Sequence, residues 1–444
     1  MLDTISAIST PFGTGGIAII RISGKNAIKI VDNVFSKSLQ KVKSHSAVFG
    51  KIIQNNELID EVIITIFKAP KSYTGENVVE ISCHGSIFIA NRILEILLQH
   101  SRLAEAGEFT QRAFLNNKID LTEAEAINDL LNAKTKISHK TALEQMGGSL
   151  YRKIDKLLQK LTTFRTQLEL EIDFLEQDLP EIDLEKLIKK MKELLSKLQK
   201  LAATGEMGII LREGLKISLV GAPNVGKSSI FNAFLESERA IVTPIPGTTR
   251  DYLEETISLK GYLVRIFDTA GLRKTENEIE KIGIIRSFDI IKNSHKVLFI
   301  FDGPESFLEY KKLSQIVDES RIIKVLNKID VLPKSTLIKF KNTVFCSTLT
   351  ENGLDDLKTV LLKYLSISDD NIGDGILTNT RQIAAVKRTT KSLEKAIKSL
   401  NENLGFEFTA FDLKEASAAL EEIIGKISTD DILNQIFDNF CVGK

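Results

Sequence analysis

Residues Gly221-Ala222-Pro223-Asn224-Val225-Gly226-Lys227-Ser228 spell G-x-x-x-x-G-K-S, set between a β-rich run, Lys216 to Val220, and a helix-like run, Ser229 to Leu235. This is the pattern of a phosphate loop. Its glycines let the backbone from Asn224 through Ser229 wrap close enough to aim N–H groups at phosphate oxygens. Lys227 reaches the β- and γ-phosphates, and Ser228 offers a hydroxyl to Mg²⁺. The middle of the chain is therefore expected to bind a nucleoside triphosphate. From Lys216 to about Leu365 strand-like and helix-like runs alternate, as a doubly wound parallel sheet requires.

Two further strings narrow the nucleotide. Asn327-Lys328-Ile329-Asp330 follows the apolar run Ile322 to Leu326, and N-K-x-D selects guanine. One carboxylate can accept from both the ring N–H and the exocyclic amine of guanine, whereas adenine offers no such pair of donors. Between the two strings, Asp268-Thr269-Ala270-Gly271 ends the run Tyr262 to Phe267. Asp268 suits a water-mediated hold on Mg²⁺, and the Gly271 N–H suits a γ-phosphate sensor. Gly247-Thr248-Thr249-Arg250-Asp251 reads as a switch segment with one threonine hydroxyl on Mg²⁺. Leu272 then stands where Ras-like GTPases carry the glutamine that orients the attacking water. An apolar side chain cannot do this, so another group must, and Arg273, Glu276, Glu278 and Glu280 are the nearby candidates.

At 444 residues the chain is too long for one ordinary core, and about three domains are expected. Lys plus Arg (59) equals Asp plus Glu (59), which excludes a grip on nucleic acid by net field, so an RNA substrate would need a partner or a local patch. Cys83, Cys346 and Cys441 are too scattered for a disulfide framework or a metal cluster. A reducing cytoplasm fits, as do the absence of a basic or apolar leader and of any membrane-length apolar run, so no membrane role is expected.

Residues 1–118 mix β-rich runs (Ile17 to Ile22, Val62 to Phe67, Val78 to Ser82) with glycine turns and one helix, Ile87 to Gln99, and read as an α+β domain. Helical character then begins at Thr122-Glu123-Ala124-Glu125, read as a capping box, and runs nearly to Pro180. Met146, Leu150, Ile154, Leu157, Leu161, Phe164 and Leu168 fall on one stripe of a long helix. The next helix carries Leu184 to Leu201 on one side and six lysines on the rest, a face read as solvated. Helices return after Gly375 at Arg381 to Leu400, Phe411 to Ile424, capped by Thr409, and Asp430 to Phe440, capped near Thr429. The expected organisation is an α+β domain at 1–118, a helical domain split into 119–210 and 370–444, and an inserted GTPase module at 211–369. The fold class is multidomain α+β and α/β.

These motifs in this order resemble the bacterial tRNA modification GTPase family known as MnmE or TrmE. The resemblance rests on the nucleotide strings and on Asp3-Thr4-Ile5-x-Ala7, Thr10-Pro11-x-Gly13-x-Gly15-Gly16, Arg21-Ile22-Ser23-Gly24, Tyr73-Thr74-Gly75-Glu76, His84-Gly85, Gly107-Glu108-Phe109-Thr110-x-Arg112-Ala113-Phe114, Lys118-x-Asp120-Leu121 and Cys441-Val442-Gly443-Lys444. It implies an N-terminal domain that binds 5-formyltetrahydrofolate or a related folate through Arg21, Glu80, Lys118 and Lys444, and that forms a homodimer. It implies K⁺ held by Asn224 with Thr243, Ile245 and Thr248, and Mg²⁺ held by Ser228 and Thr249. The switch residues Thr243, Pro244, Ile245, Pro246, Gly247, Thr248 and Thr249 line the nucleotide. Glu280 orients water, and Cys441 is a catalytic candidate beside Lys227. The resemblance also implies tRNA as substrate and a flavoprotein partner, MnmG, which carries FAD and joins a heterotetramer. Together they would add an aminomethyl or carboxymethylaminomethyl group to C5 of the wobble uridine. The chain departs from related GTPases at Ser347-Thr348-Leu349, where Ser-Ala-Lys is usual, which implies looser stacking on the base. Two rivals, a ribosome-assembly GTPase and a folate transferase with a regulatory GTPase module, predict no wobble-uridine chemistry. The acidic Asp430, Asp431 and Asp438 also disfavour the basic C-terminal RNA module of the first.

Overall fold

A computed structural model describes residues 3–173, 183–238, 254–268, 289–333, 337–365 and 375–444. The chain divides into two compact units, residues 1–128 with 420–444, and residues 129–419. Each among the described residues holds one six-stranded sheet.

In the first unit the strands are β1 (Ile5–Ile8), β2 (Ile17–Ser23), β3 (Ser46–Gln54), β4 (Glu57–Phe67), β5 (Val78–His84) and the short β6 (Arg102–Leu103), in the order β3-β4-β5-β2-β1-β6. All neighbours are antiparallel except β1 with β6. Alternate residues of β2, β4 and β5 (Ile20, Ile22, Ile64, Ile66, Val79, Ile81) face α1 (Ala27–Asp32) and α2 (Ile87–Leu98). That is the period-two burial expected of a sheet covered by helices on one face.

Several motif residues of this unit are architectural. Arg112, on α3 (Glu108–Leu115), is 2% exposed. It donates to the Asp3 carbonyl at 2.7 Å, the Asp3 carboxylate at 2.9 Å, Glu108 Oε1 at 2.8 Å and Glu76 Oε2 at 3.2 Å. Arg102 donates to the same Asp3 and Glu108 carboxylates at 2.7 Å each. The network pins the start of the chain, the Glu76 turn and α3 together. Burial alone would raise the Glu108 carboxyl; Arg102, the Glu105 N–H and Arg112 outweigh it and hold it below the usual range.

The helical region differs from expectation in three places. α4 (Leu121–Asn132) begins one residue before Thr122, because the capping box is built by Asp120. The Asp120 carboxylate accepts from the Thr122 and Glu123 amides, while Glu123 reaches back to the Asp120 N–H at 2.9 Å. Thr122 itself is buried and donates its hydroxyl to Asp120. The long helix is broken: α5 (Lys136–Met146) and α6 (Ser149–Asp173) are separate, because Gly147-Gly148 intervenes with Gly148 at φ +75°. Met146 is thus cut from the stripe that Leu150 to Leu168 form on α6 and is 38% exposed. Thr409 caps nothing; it lies within a helix spanning Phe406–Ile424 and donates back to the Gly405 carbonyl.

α7 (Leu184–Ala203) buries Leu187, Met191, Leu194, Leu198 and Leu201, and α8 (Gly205–Glu213) leads into the second sheet. Its strands are β7 (Leu215–Val220), β8 (Glu254–Leu259), β9 (Tyr262–Asp268), β10 (Lys296–Phe301), β11 (Ile322–Leu326) and β12 (Thr343–Phe345), ordered β12-β11-β10-β7-β9-β8. Five run parallel, as the alternating sequence pattern predicts. The edge strand β8 is antiparallel because Lys260-Gly261, with φ +48° and +88°, returns the chain through a tight hairpin. α9 (Lys227–Glu238) covers the sheet, with Ile230, Phe231 and Phe234 in its core. No helix among the described residues is long and apolar enough to cross a membrane.

Lowering pH tests the Arg112 network. A carboxylate whose folded pKa lies below its unfolded one stabilises fully above the unfolded value and loses that contribution as pH falls through the folded one. For Glu108 the loss therefore begins below its unperturbed 4.5. Hydrogen-exchange protection of the Glu108–Leu115 amides, corrected for intrinsic rates, should drop between pH 5 and 3 (roughly that window), and Glu108→Gln should show less of that drop. An equal drop in both proteins would mean that Glu108 is not a source of this stability.

Candidate functional site

The nucleotide motifs converge at the carboxyl ends of the parallel strands, where open α/β sheets bind ligands. The phosphate loop leaves β7, Asp268 ends β9, Asn327 follows β11, and Ser347 follows β12 by two residues. The register sets Leu219 opposite Asp268, Phe301 opposite Leu326 and Leu326 opposite Phe345, so these ends are level.

Within the loop, Lys227 is buried and its ammonium donates to the Gly221 and Ala222 carbonyls at 2.9 and 2.7 Å. Ser228 Oγ lies 3.5 Å from Asp268 Oδ2. That pairing of a hydroxyl and a carboxylate fits a hard divalent cation such as Mg²⁺. Asn224 is exposed in the left-handed region at φ 63°, which asparagine tolerates, and its amide oxygen fits an alkali cation in the same sense. Val225 is buried, and Ser229 is exposed at the first turn of α9.

The N-K-x-D loop and the phosphate loop are clamped together. Asn327, 1% exposed, donates from Nδ2 to the Val225 carbonyl at 3.0 Å, and Lys328 donates from Nζ to the Asn224 carbonyl at 2.7 Å. Gly226 is required by this contact, since a Cβ there would stand 2.1 Å from Asn327 Nδ2, in backbone already at φ +97°. The Asp330 carboxylate accepts from Ser347 Oγ, and the Ser347 N–H donates to the Asn352 carbonyl, so Asp330, the residue expected to read guanine, is oriented from the loop after β12. Thr348 is half-buried beside it.

Two residues here were not read from the sequence. Asp302, just beyond β10, accepts from Lys328 Nζ at 2.8 Å and from Ser306 Oγ at 2.8 Å. Burial pushes its carboxyl up, but Lys328 and Ser306 prevail and hold it low. An aspartate closing the strand between the two motif strands was the available signal. Cys346 is buried, its thiol pushed up to about 12 by burial, and lies 3.7 Å from Asn327 Oδ1. It is an unreactive packing group behind the asparagine.

Thr243, Pro244, Ile245, Pro246, Gly247, Thr248, Thr249, Thr269, Ala270, Gly271, Leu272, Arg273, Glu276, Glu278 and Glu280 lie outside the described residues.

In the first unit, Arg21 and Glu80 are cross-strand partners on β2 and β5, joined at 2.8 and 2.9 Å and both largely buried. Arg21 also donates to the Gly443 carbonyl at 3.3 Å, and its guanidinium lies 5.7 Å from the Tyr73 ring and 5.6 Å from that of Phe109. Burial, then the charge of Arg21, pulls the Lys444 ammonium below its usual range. Three of the four residues expected for folate are thus brought together, with cations and a carboxylate matched to an amidine-like edge and a polyanionic tail. Lys118 instead donates to the Pro70 carbonyl at 3.1 Å. Cys441 is exposed on the peptide that carries Lys444.

Two family models match the chain in succession. The family model described as "GTP-binding protein TrmE N-terminus" matches residues 4–118, and that described as "MnmE helical domain" matches residues 121–441. Proteins called "tRNA modification GTPase MnmE" from Thermoanaerobacter pseudethanolicus, Clostridioides difficile and Oceanobacillus iheyensis are 40%, 40% and 41% identical. All of this chain and 99–100% of theirs is covered. Among solved structures, the G domain of the T. maritima FeoB iron transporter covers 34% of this chain and 98% of its own at 30% identity. Its TM-score is 0.26, so the fold is argued from the strand order above and not from that likeness.

Asp302→Asn should weaken guanine-nucleotide binding about fivefold, the ~1 kcal/mol of a partly exposed ion pair, in titrations with a fluorescent GDP. Wild-type affinity would mean that the Asn224 carbonyl alone fixes Lys328.

Proposed function

The chain belongs to the MnmE family of tRNA modification GTPases and hydrolyses GTP in tRNA modification; we propose that the atom it helps to modify is C5 of the wobble uridine, U34, of certain tRNAs. The GTPase half of this reading rests on the clamp between residues 327–328 and the phosphate loop. The tRNA half rests on relatives matched end to end. In our reading the chain comprises a folate and dimerisation domain (1–118), a helical domain (119–210 and 370–444) and a GTPase module (211–369). It works as a cytoplasmic homodimer with a flavoprotein that carries FAD, and together they attach an aminomethyl or carboxymethylaminomethyl group.

On binding GTP, Asp330 accepts from the two guanine donors while Ser347 keeps its carboxylate aimed. Lys227 leaves the loop carbonyls for the β- and γ-phosphates and neutralises charge that grows during phosphoryl transfer. Ser228 and Thr249 are assigned to Mg²⁺, and Asn224, Thr243, Ile245 and Thr248 to K⁺. When bound, the K⁺ would supply the positive charge that an arginine finger gives elsewhere, while Mg²⁺ would neutralise the β- and γ-phosphate oxygens. Glu280 takes over the orientation of water that Leu272 cannot provide. GTP hydrolysis then drives meeting and parting of two GTPase modules. Arg21, Glu80, Lys118 and Lys444 are assigned to a tetrahydrofolate, which supplies the one-carbon unit when bound, and Cys441 to the uridine chemistry.

Deleting the gene should abolish C5-modified wobble uridine in total tRNA nucleosides measured by mass spectrometry. An unchanged profile would remove the tRNA half of the reading and leave a ribosome-assembly or folate-transfer role. Replacing K⁺ by Na⁺ should slow GTP turnover by roughly tenfold or more, less than the ~10³-fold low end for loss of an arginine finger because Na⁺ keeps the charge and loses only the fit. Equal rates in the two salts would discard the Asn224 ion site.

A further inference from the structure

Within the second unit lies a cleft of about 1510 Å³, away from the nucleotide motifs, lined on one side by α6 and α7 and on the other by residues 292–296, 320–321 and 364. Its helical wall presents Lys156, Lys160, Lys197 and Lys200, and the opposite wall Lys292 and Lys296. Glu206 is the acidic residue lining it. Lys156, Lys160, Lys197 and Lys200 are exposed, and none forms an ion pair among the described residues. Lys197 crowds Lys160 closely enough to push its ammonium below the ordinary range, with Glu193 a weak counterweight. Holding like charges face to face is unfavourable unless an anion enters between them. Lys296 has partners already, the Ser320 carbonyl at 3.0 Å and the Tyr364 ring 3.5 Å from its ammonium. The floor is apolar and aromatic, with Leu201, Leu211 and Tyr262.

We propose that this cleft takes an unpaired stretch of RNA, its phosphates between the α6 and α7 lysines and its bases against the aromatic and apolar floor. The proposal rests on the tRNA reading above and adds where this chain holds the substrate. A helix sets residues three or four apart about 4.5–6 Å along its axis, so Lys156 and Lys160, and Lys197 and Lys200, form two short cationic ladders that track a backbone. Cationic walls over a stacking floor are what single strands require, whereas a duplex hides its base faces. With equal numbers of acidic and basic residues overall, attraction for RNA has to be local, and this cleft supplies it.

The test removes four charges at once, in Lys156→Gln, Lys160→Gln, Lys197→Gln, Lys200→Gln, in the full chain. The probes are an unmodified tRNA transcript with U34, an eight-nucleotide unpaired oligoribonucleotide, and a duplex RNA, each followed by fluorescence anisotropy across a salt series. The variant should keep wild-type GTP turnover, which certifies its fold. It should bind tRNA and oligonucleotide at least tenfold more weakly, and the slope of log affinity against log salt should shrink by about 3. Wild-type affinity and slope in the variant would overturn the proposal. So would equal dependence of duplex RNA on these lysines, or displacement by polyglutamate with no competition from RNA, which would assign the cleft to an acidic protein. Failure of the broader reading looks different: the wobble-uridine profile of the deletion strain would be unchanged, whatever these lysines bind.

Discussion

Two donors from one loop, Asn327 Nδ2 and Lys328 Nζ, hold the carbonyls of Val225 and Asn224, and the nucleotide-binding end of the second unit is organised around that grip. The phosphate loop must bend sharply between β7 and α9, and a bend of this kind leaves carbonyls without helical partners. Here those carbonyls are satisfied by the loop that also carries Asp330. The N-K-x-D loop and the phosphate loop are thereby mechanically one object: a shift at residue 327 is felt at residue 225 with no intervening chain. Gly226 follows from the same contact, since a side chain there would collide with the asparagine amide.

Much of this was legible in the sequence, for a physical reason. Phosphate and guanine recognition depend on backbone geometry and on one or two side chains at fixed local spacing, so Gly221 to Ser228 and Asn327 to Asp330 announce themselves. Asp302 did not, because its role depends on β10 lying between β7 and β11, a matter of strand order that local spacing does not encode. The helix boundaries failed for a related reason. Thr122 and Asp120 are both good capping residues, and only the direction in which Glu123 reaches back decides between them. Gly147-Gly148 costs a helix about 2 kcal/mol relative to alanine and marked the break, but Met146 and Leu150 keep helical spacing across it and hid that signal. The family motifs around Glu108 and Arg112 were visible as strings, but their purpose as a buried ionic knot became clear only when Asp3, Glu76 and Arg102 converged on them.

Net charge illustrates the same limit from the other side. A balanced total hides a local imbalance. The lysines of α7 look like an ordinary solvated face along the sequence, and two of them turn out to border a cleft that a second helix lines with lysines of its own. Periodicity tells which residues leave the core, and not what they meet outside it.

The first unit is assembled from both ends of the described chain. Leu121, Ala124 and Ile127 pack on Leu433, Phe437 and Phe440, and the Gly443 and Lys444 carbonyls accept from Arg21 and the Phe109 N–H. All of residues 129–419 are synthesised between those two halves. At about 5–20 residues per second this takes on the order of 15 to 60 seconds. During that interval the apolar face of α4, with Leu121, Ala124 and Ile127, waits on the ribosome without its C-terminal partners, a natural point of engagement for chaperones and a natural hazard in overexpression.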